Sequence, residues 1–443
     1  MTDLKTKSAK DATVLIYDAG LFTHLAEALV GQFKRVLYFN PSWKQAFPSS
    51  NQVYIGDGIP GVERVEQFWD IVDEVDLFVF PDIHNGDLQE QLKRMGKLVF
   101  GSGYSEEIEI ERWAFKNEVL KDLGMPVQPV KRILGTKDLR KWLDDPKNVP
   151  SYVKVSLTRK DMESRKVFSR IAAELWICEL EYKHGPIARE MEFIWEAPIP
   201  TTLELGYDGI VVVNQYADPA CHGCEIKDAG YFMAVQPYAT LPEPIKYVNE
   251  KMRKVWASYG LKGKISTEIR IGKDGKFYFI DPCQRFGSPP SQIECSLITN
   301  LGEVMYMAAQ GVLIKPVYAA KYAVQVFMYS EKVDKEWVNY KIEPGYEKHF
   351  KFSFKYMDDK EIYTIPQNVG MAASGSVVAL ADDPMTAIKR IVEYSGKIEA
   401  ECLDIRLDSL PKAVKQIHEA TKKGYRFGTA LIPSVSAVAE AVI

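Results

Sequence analysis

The sequence is poor in cysteine and histidine, with six of each in 443 residues. Thiols this sparse exclude the dense disulfide framework of a small secreted scaffold, and reduced cysteines are expected. Cys221 and Cys224 form a lone C-x-x-C around His222. No second ligand pair stands at zinc-finger spacing, so structural zinc is the minor reading of that motif. Histidines this few and scattered support no Ser/His/Asp or Cys/His nucleophile arrangement. No apolar stretch approaches the roughly 20 residues a bilayer span requires, and the chain starts with polar residues; a cytoplasmic protein without a membrane partner is the expectation. An excess of basic charge is also missing: Lys and Arg total 56 against 60 for Asp and Glu, a net charge of -4, which disfavours direct nucleic-acid binding. There is no internal repeat and no low-complexity run.

What is present is enough apolar residue, 46%, for two to four packed subdomains. Residues 13–17, 35–39, 77–80 and 97–100 are short apolar runs separated by helical patterns, which predicts buried parallel strands in a Rossmann-like α/β lobe over residues 1–104. Ligands meet such sheets at the carboxyl ends of the strands, so the loops beginning at Asp18, Asn40, Pro81 and Gly101 face whatever this lobe binds. Ser105 opens a long amphipathic helix that ends at Gly124, ahead of Pro126. From about 130 to 315 the pattern changes to separated strands and hairpins at 152–155, 190–195, 209–213, 265–271 and 277–280, an α+β segment. The pair Asp274-Gly275 supplies a tight turn between the last two strands. Further strands at 322–329 and 375–380, with helices at 384–394 and 410–423, predict a small C-terminal α+β domain over residues 316–443.

The hairpin puts Glu268 on one strand and Asp281 at the end of its partner, where alternation can turn both carboxylates into one cleft and make a site for a hard cation such as Mg²⁺. Two solvated surface acids are the plainer reading. The loop that follows, Asp281-Pro-Cys-Gln-Arg285-Phe286-Gly287-Ser288-Pro289-Pro290-Ser291-Gln292, is denser in special residues than a bare turn requires. Lys154 sits among apolar strand neighbours, and an ammonium there seldom lacks a negative partner; a lysine protecting an exposed edge strand is the competing reading.

The 281–292 loop resembles the ATP-grasp superfamily, and within it the phosphoribosylamine-glycine ligases, whose matching segment reads E-F-N-C-R-F-G-D-P-E-T-Q; Arg285, Phe286, Gly287, Pro289 and Gln292 coincide. The resemblance covers residues 100–315 well and the flanks more weakly, with Gly375–Leu380 echoing the ligases' C-terminal lobe. It implies an ATP-grasp fold, with an N-terminal Rossmann-like domain (1–104), an ATP-grasp domain of two subdomains clamping ATP (105–315) and the small C-terminal domain (316–443). The implied cofactors are ATP and Mg²⁺, and the implied partners are a small-molecule carboxylate and an amine, joined through an acyl phosphate. By the same resemblance Glu268 and Asp281 hold the metal and Arg285 steadies the transferred phosphate. Arg112 or Lys116, Lys154, and Lys227 face the nucleotide. The stretch Glu190–Glu196 resembles the hinge that binds adenine through backbone groups at Phe193 and Ile194, with Glu192 and Glu204 as polar contacts.

The family's glycine-rich phosphate loop is absent; Arg159, Lys160 and Arg165 stand there and can grip phosphates through charged hydrogen bonds, or simply be solvated. Cys283 replaces a metal-ligating Asn, and a thiol is a poor Mg²⁺ ligand. In the first lobe the family's G-S-G-G-R-E-H-A is matched by Asp18-Ala19-Gly20-Leu21-Phe22-Thr23-His24-Leu25. Asp18, Gly20 and His24, with Gly287 and Ser288, are the candidate substrate contacts. Loss of a glycine to Leu21 and of the arginine to Phe22 removes close backbone approach and a fixed positive charge, so a substrate other than phosphoribosylamine is expected. A nucleotide-binding regulator or scaffold without catalysis is the alternative from another class, and a kinase forming a stable phosphate ester is a third.

Overall fold

A computed structural model describes residues 7–41, 54–156, 164–227, 229–367 and 373–442. The chain divides into two compact units: residues 1–105, 205–267 and 283–443 form the first, and 106–204 with 268–282 form the second.

In the first unit, β1 (Thr13–Tyr17), β2 (Arg35–Phe39), β3 (Val62–Arg64), β4 (Leu77–Val79) and β5 (Leu98–Phe100) form one sheet in the order β3-β2-β1-β4-β5. Every pairing in it is parallel, as unbroken apolar runs buried on both faces require. The chain winds outward from β1 in one direction and resumes at β4 in the other, so the topological switch point lies between the carboxyl ends of β1 and β4. One face of this sheet packs Val14, Ile16, Val36 and Val79 with Phe22 and Leu25, and the other packs Leu15, Leu37, Phe78 and Val99.

The remaining strands of the unit are antiparallel. β10 (Thr201–Val212), flanked by the short β11 (Gln215–Tyr216), is followed across a larger sheet by β12 (Ala220–Ile226), β13 (Gly230–Gln236), β16 (Tyr322–Ser330), β21 (Ala373–Ala381) and β18 (Phe350–Phe352). A small sheet holds β19 (Lys355–Asp358), β20 (Glu361–Thr364), β17 (Val338–Ile342) and β22 (Ile398–Ala400), while β23 (Leu403–Ile405) pairs with β16. The C-terminal helices fall at Pro384–Ser395, capped by Asp383, and Ser409–Lys422, within a residue or two of their predicted bounds.

Cys221 and Cys224 lie three apart on β12, and alternation sends their side chains into different apolar clusters. They cannot share a metal, and no group of three or more metal-capable His, Cys, Asp or Glu residues occurs among the described residues. Nor is any described helix long and apolar enough to cross a membrane.

In the second unit, β6 (Val130–Leu134), β9 (Glu192–Glu196), β7 (Ser151–Val155) and β8 (Ser164–Val167) form an antiparallel sheet in the order β6-β9-β7-β8. Helices Gly135–Leu143 and Arg170–His184 close one face through Leu139, Leu143, Ala173, Trp176, Ile177 and Leu180. The hairpin of β14 (Lys262–Gly272) and β15 (Phe277–Cys283) turns at Gly275, φ 77°, with Asp274 accepting from the Lys276 amide. Boundary positions 204/205 and 267/268 fall inside β10 and β14.

The long helix expected from Ser105 to Gly124 is interrupted. A 3₁₀ turn at Gly103–Glu106, short α segments at Glu107–Ile110, Arg112–Ala114 and Leu120–Asp122, and a π segment at Phe115–Val119 replace it. Glu111 leaves helical geometry with ψ 63°, and the wide π turn carries Lys116, which is buried. Gly124 does adopt the left-handed conformation, φ 63°.

Candidate functional site

The second unit gathers three buried basic side chains: Arg112, 8% exposed, Lys116, 2%, and Lys154, 5%. Lys154 lies on β7, an interior strand bonded to both β9 and β8, which removes the edge-strand reading. Its Nζ donates to Asp281 Oδ1 at 2.9 Å and stands 3.8 Å from Glu196 Oε1. Arg112 reaches the same Asp281 oxygen at 3.6 Å. The π turn aims Lys116 at the β15 backbone, where it donates to the carbonyls of Ile280 at 2.7 Å and Phe279 at 3.1 Å. Three cations thus converge on two carboxylates, Asp281 and Glu196.

The electrostatics follow from this packing. Burial by itself would raise the Asp281 carboxyl, but Lys154, Arg112 and Lys116 together outweigh it and hold the group well below the usual carboxylate range. Burial pulls Lys154 down, and Asp281 and Glu196 more than compensate. Lys116, whose partners are mainly carbonyls, is lowered by burial.

Glu268, the other expected metal ligand, belongs to a second cluster on the same hairpin. Arg270 Nη2 lies 2.8 Å from Glu268 Oε1, and its Nε lies 3.3 Å from Glu204. Burial raises the Glu268 carboxyl to about 7, helped by the like charges of Glu204 and Asp281. The buried Oε1 is charge-paired with Arg270 yet has no hydrogen bond of proper geometry.

Other expected nucleotide contacts are placed differently. Glu192 accepts from Arg132 Nε at 2.6 Å. Phe193 and Ile194 are fully buried on the interior strand β9, whose backbone is bonded to β6 on one side and β7 on the other; paired backbone groups there are not open to an adenine edge. Lys227 is exposed just beyond β12, in the first unit. Arg159 and Lys160 lie outside the described residues.

In the first unit, Asp18 follows β1 and Asp82 follows β4, on the two sides of the switch point. Asp18 is 2% exposed and accepts from the Phe22 amide at 2.9 Å and Tyr38 Oη at 2.7 Å. Burial raises its carboxyl to about 6 despite those donors, with nearby Asp82 adding to the rise. Arg285 stands 3.7 Å from Asp82, and the Phe286 amide bonds the Pro81 carbonyl, tying the 283–290 loop to the end of β4. Gly287 is required by space: a Cβ would lie 2.4 Å from the Pro289 carbonyl oxygen. Ser288 is half-buried beside it.

Gly20 and His24 are packing residues as placed. A Cβ at Gly20, φ 112°, would fall 2.4 Å from the Phe354 ring, and His24 is fully buried with Nε2 3.1 Å from Ser291 Oγ. Burial pushes the His24 imidazole down to about 3, so it is neutral. Beneath Phe286 lies a cluster the sequence did not signal: Lys264 pairs with Glu294, both almost fully buried, and Ser266 and Tyr231 donate to Asp208. Arg270, Glu196 and Asp82 were also missed. Asp82 alone had a signal, since it follows the predicted strand 77–80.

The architecture of these two units is the ATP-grasp fold. Similar solved structures include phosphoribosylamine–glycine ligase from Thermotoga maritima, at 14% identity and TM-score 0.64 over 89% of this chain and 99% of that one. The biotin carboxylase domain of 2-oxoglutarate carboxylase from Hydrogenobacter thermophilus, solved with MgADP, ADP and bicarbonate, matches at 13% identity and TM-score 0.61 over 94% and 96% of the two chains. N5-carboxyaminoimidazole ribonucleotide synthetase from Thermotoga maritima matches at 17% and 0.57 over 88% and 99%. No protein-family model matches the sequence, and no curated protein matches it.

Proposed function

We propose that this protein is an ADP-forming, ATP-dependent ligase that activates a small-molecule carboxylate as an acyl phosphate and joins it to an amine. The observation that carries the reading is the convergence of Arg112, Lys116 and Lys154, all buried, around Asp281, a carboxylate whose side chain is 32% exposed. Buried cations are normally held by anions, and a set of them gathered at one partly exposed carboxylate suits a polyanion such as a nucleotide triphosphate. The solved neighbours act on small molecules by name, and one holds MgADP.

In this reading Lys154 and Arg112 leave Asp281 for phosphate oxygens when ATP binds, which frees that carboxylate. Asp281 and Glu268 fit a hard cation, because both are oxygen donors on one hairpin and Glu268 keeps a second oxygen beside the one that faces Arg270. Mg²⁺ there would neutralise charge on the triphosphate. Chemically, a carboxylate oxygen attacks the γ-phosphorus and the P–O bond to ADP breaks. The amine then attacks the acyl carbon, a C–N bond forms, and phosphate and a proton leave. Positioning and charge neutralisation do most of this work.

We place the second substrate at the switch point of the first unit, with Asp18 and Asp82 beside it and Arg285 as that unit's anion contact. Phosphoribosylamine is disfavoured there because Phe22 is fully buried where the ligases carry arginine and Phe354 covers Gly20. The three-part division at residues 104 and 315 and a cytoplasmic setting belong to the same reading. A catalytically silent ATP-binding protein is the second reading, motivated by Cys283 in place of a metal-ligating Asn and by the missing glycine-rich loop. The test is to incubate the protein with Mg-ATP and pooled carboxylates and amines, following ADP release, and then to use an ¹⁸O-labelled carboxylate. Transfer of ¹⁸O into released phosphate is expected; ATP binding with no ADP release across the pool would favour the silent protein.

A further inference from the structure

The two acids assigned to the metal do not have equivalent surroundings. Asp281 faces Lys154 and Arg112, which are nucleotide-binding groups and can move onto phosphate. Glu268 faces Arg270, which leaves the strand two residues later on the same side. The Arg270 guanidinium also lies 3.3 Å from Glu204, so one cation stands between two carboxylates, and its Cζ lies 6.0 Å from the Tyr152 ring centroid. A planar, permanently charged fork held by two acids and an aromatic face is far less free to leave than a lysine.

Two divalent cations flanking a triphosphate would each need carboxylate oxygens. Of the other acids around Asp281 and Glu268, Glu196 is 4% exposed, accepts from Gln128 at 2.9 Å and has Lys154 3.8 Å from its other oxygen, and Glu204 lies 3.3 Å from Arg270. On the hairpin itself, Asp281 and the second oxygen of Glu268 are left to be shared, enough for one ion whose other ligands come from phosphate and water. We propose that Arg270 is a positioning residue that stands permanently in one cation position of the nucleotide site, so that the protein binds its nucleotide with a single divalent cation. Arg270 offsets part of the charge of Glu204 and Glu268, and it orients Glu268 toward the one metal.

This rests on the nucleotide-binding reading above. The test counts Mn²⁺ by electron paramagnetic resonance in the full-length protein saturated with a non-hydrolysable ATP analogue, with the bound analogue measured in parallel. One Mn²⁺ per bound nucleotide is expected for the wild type and for Arg270→Lys. Two are expected for Arg270→Leu, where Glu204 and Glu268 lose their shared cation. Two Mn²⁺ in the wild type, or one in a folded Arg270→Leu, would overturn the role of Arg270 while leaving the nucleotide site standing. Failure of the wild type to bind the analogue would instead sink the functional reading itself, and this inference with it. Should Arg270→Leu not fold, the wild-type and Arg270→Lys counts still decide the number of metals.

Discussion

Asp281→Asn separates the two parts this carboxylate plays. In the nucleotide-free protein it is the nearest counter-charge to Lys154, at 2.9 Å, and it balances Arg112 at 3.6 Å. Removing its charge takes a counter-charge from both Lys154 and Arg112. Breaking a fully buried pair costs about 3–5 kcal/mol. The Asp281 side chain is 32% exposed and Asn still offers Lys154 an oxygen, so the loss should shrink to about 1–3 kcal/mol. Nucleotide should reverse the sign. A carboxylate about 6 Å from a phosphate, at an effective dielectric near 20, repels it by roughly 1–3 kcal/mol. Metal-free ATP should therefore bind the variant about 10–100-fold more tightly, while ATP with Mg²⁺ should bind at least about tenfold more weakly because a ligand is gone. Urea denaturation measures the first effect, and calorimetric titration with and without EDTA measures the other two. If both affinities stay at their wild-type values, Asp281 borders neither phosphate nor metal and the site is wrongly placed.

The buried Lys264–Glu294 pair gives a test of the first unit: Lys264→Met strands Glu294 close to Asp208 and should cost about 3–5 kcal/mol in urea denaturation, whereas the double variant with Glu294→Leu should fall within about 1 kcal/mol of wild type. Asp18 predicts a pH dependence. Its carboxyl is raised from 3.8 to about 6, so the folded state holds a proton that the unfolded chain has lost; stability from this group is complete below pH about 4 and is lost as pH rises through about 6. The loss amounts to about 3 kcal/mol at about 1.4 kcal/mol per unit. Asp18→Asn should flatten that decline in thermal or urea melts recorded from pH 4 to 8, and an unchanged slope would show that another group is responsible.

Much of the fold could be read from the sequence because it rests on local periodicity. The parallel strands at 13–17 and 35–39 are apolar on both faces and could be nothing else in an α/β pattern, and the Asp274-Gly275 turn fixes the hairpin that carries Glu268 and Asp281. Lys154 and Arg112 were also legible, one from its apolar strand and the other from the resemblance. What was not legible depends on tertiary pairing. The break at Glu111 and the π turn at Phe115–Val119 leave no mark on helical periodicity, yet they deliver Lys116 to the β15 backbone. The interior position of β9, which uses up the backbone of Phe193 and Ile194, depends on which strands flank it, and sequence alone does not say. Gly20 looked like a ligand-cradling glycine, but the residue that fills its open side, Phe354, lies more than 300 positions away. Arg270 passed as a strand residue because its two acidic partners come from different strands.

The most direct measurement is the affinity of Lys154→Met for ATP in the presence of Mg²⁺, by calorimetric titration, with folding checked by denaturation. Lys154 is buried on an interior strand between Asp281 and Glu196, and losing a charge-assisted phosphate contact there should weaken binding by about 1.5–3 kcal/mol, roughly 10–150-fold. Wild-type affinity in a folded variant would mean that the buried basic cluster of the second unit is not where the nucleotide binds.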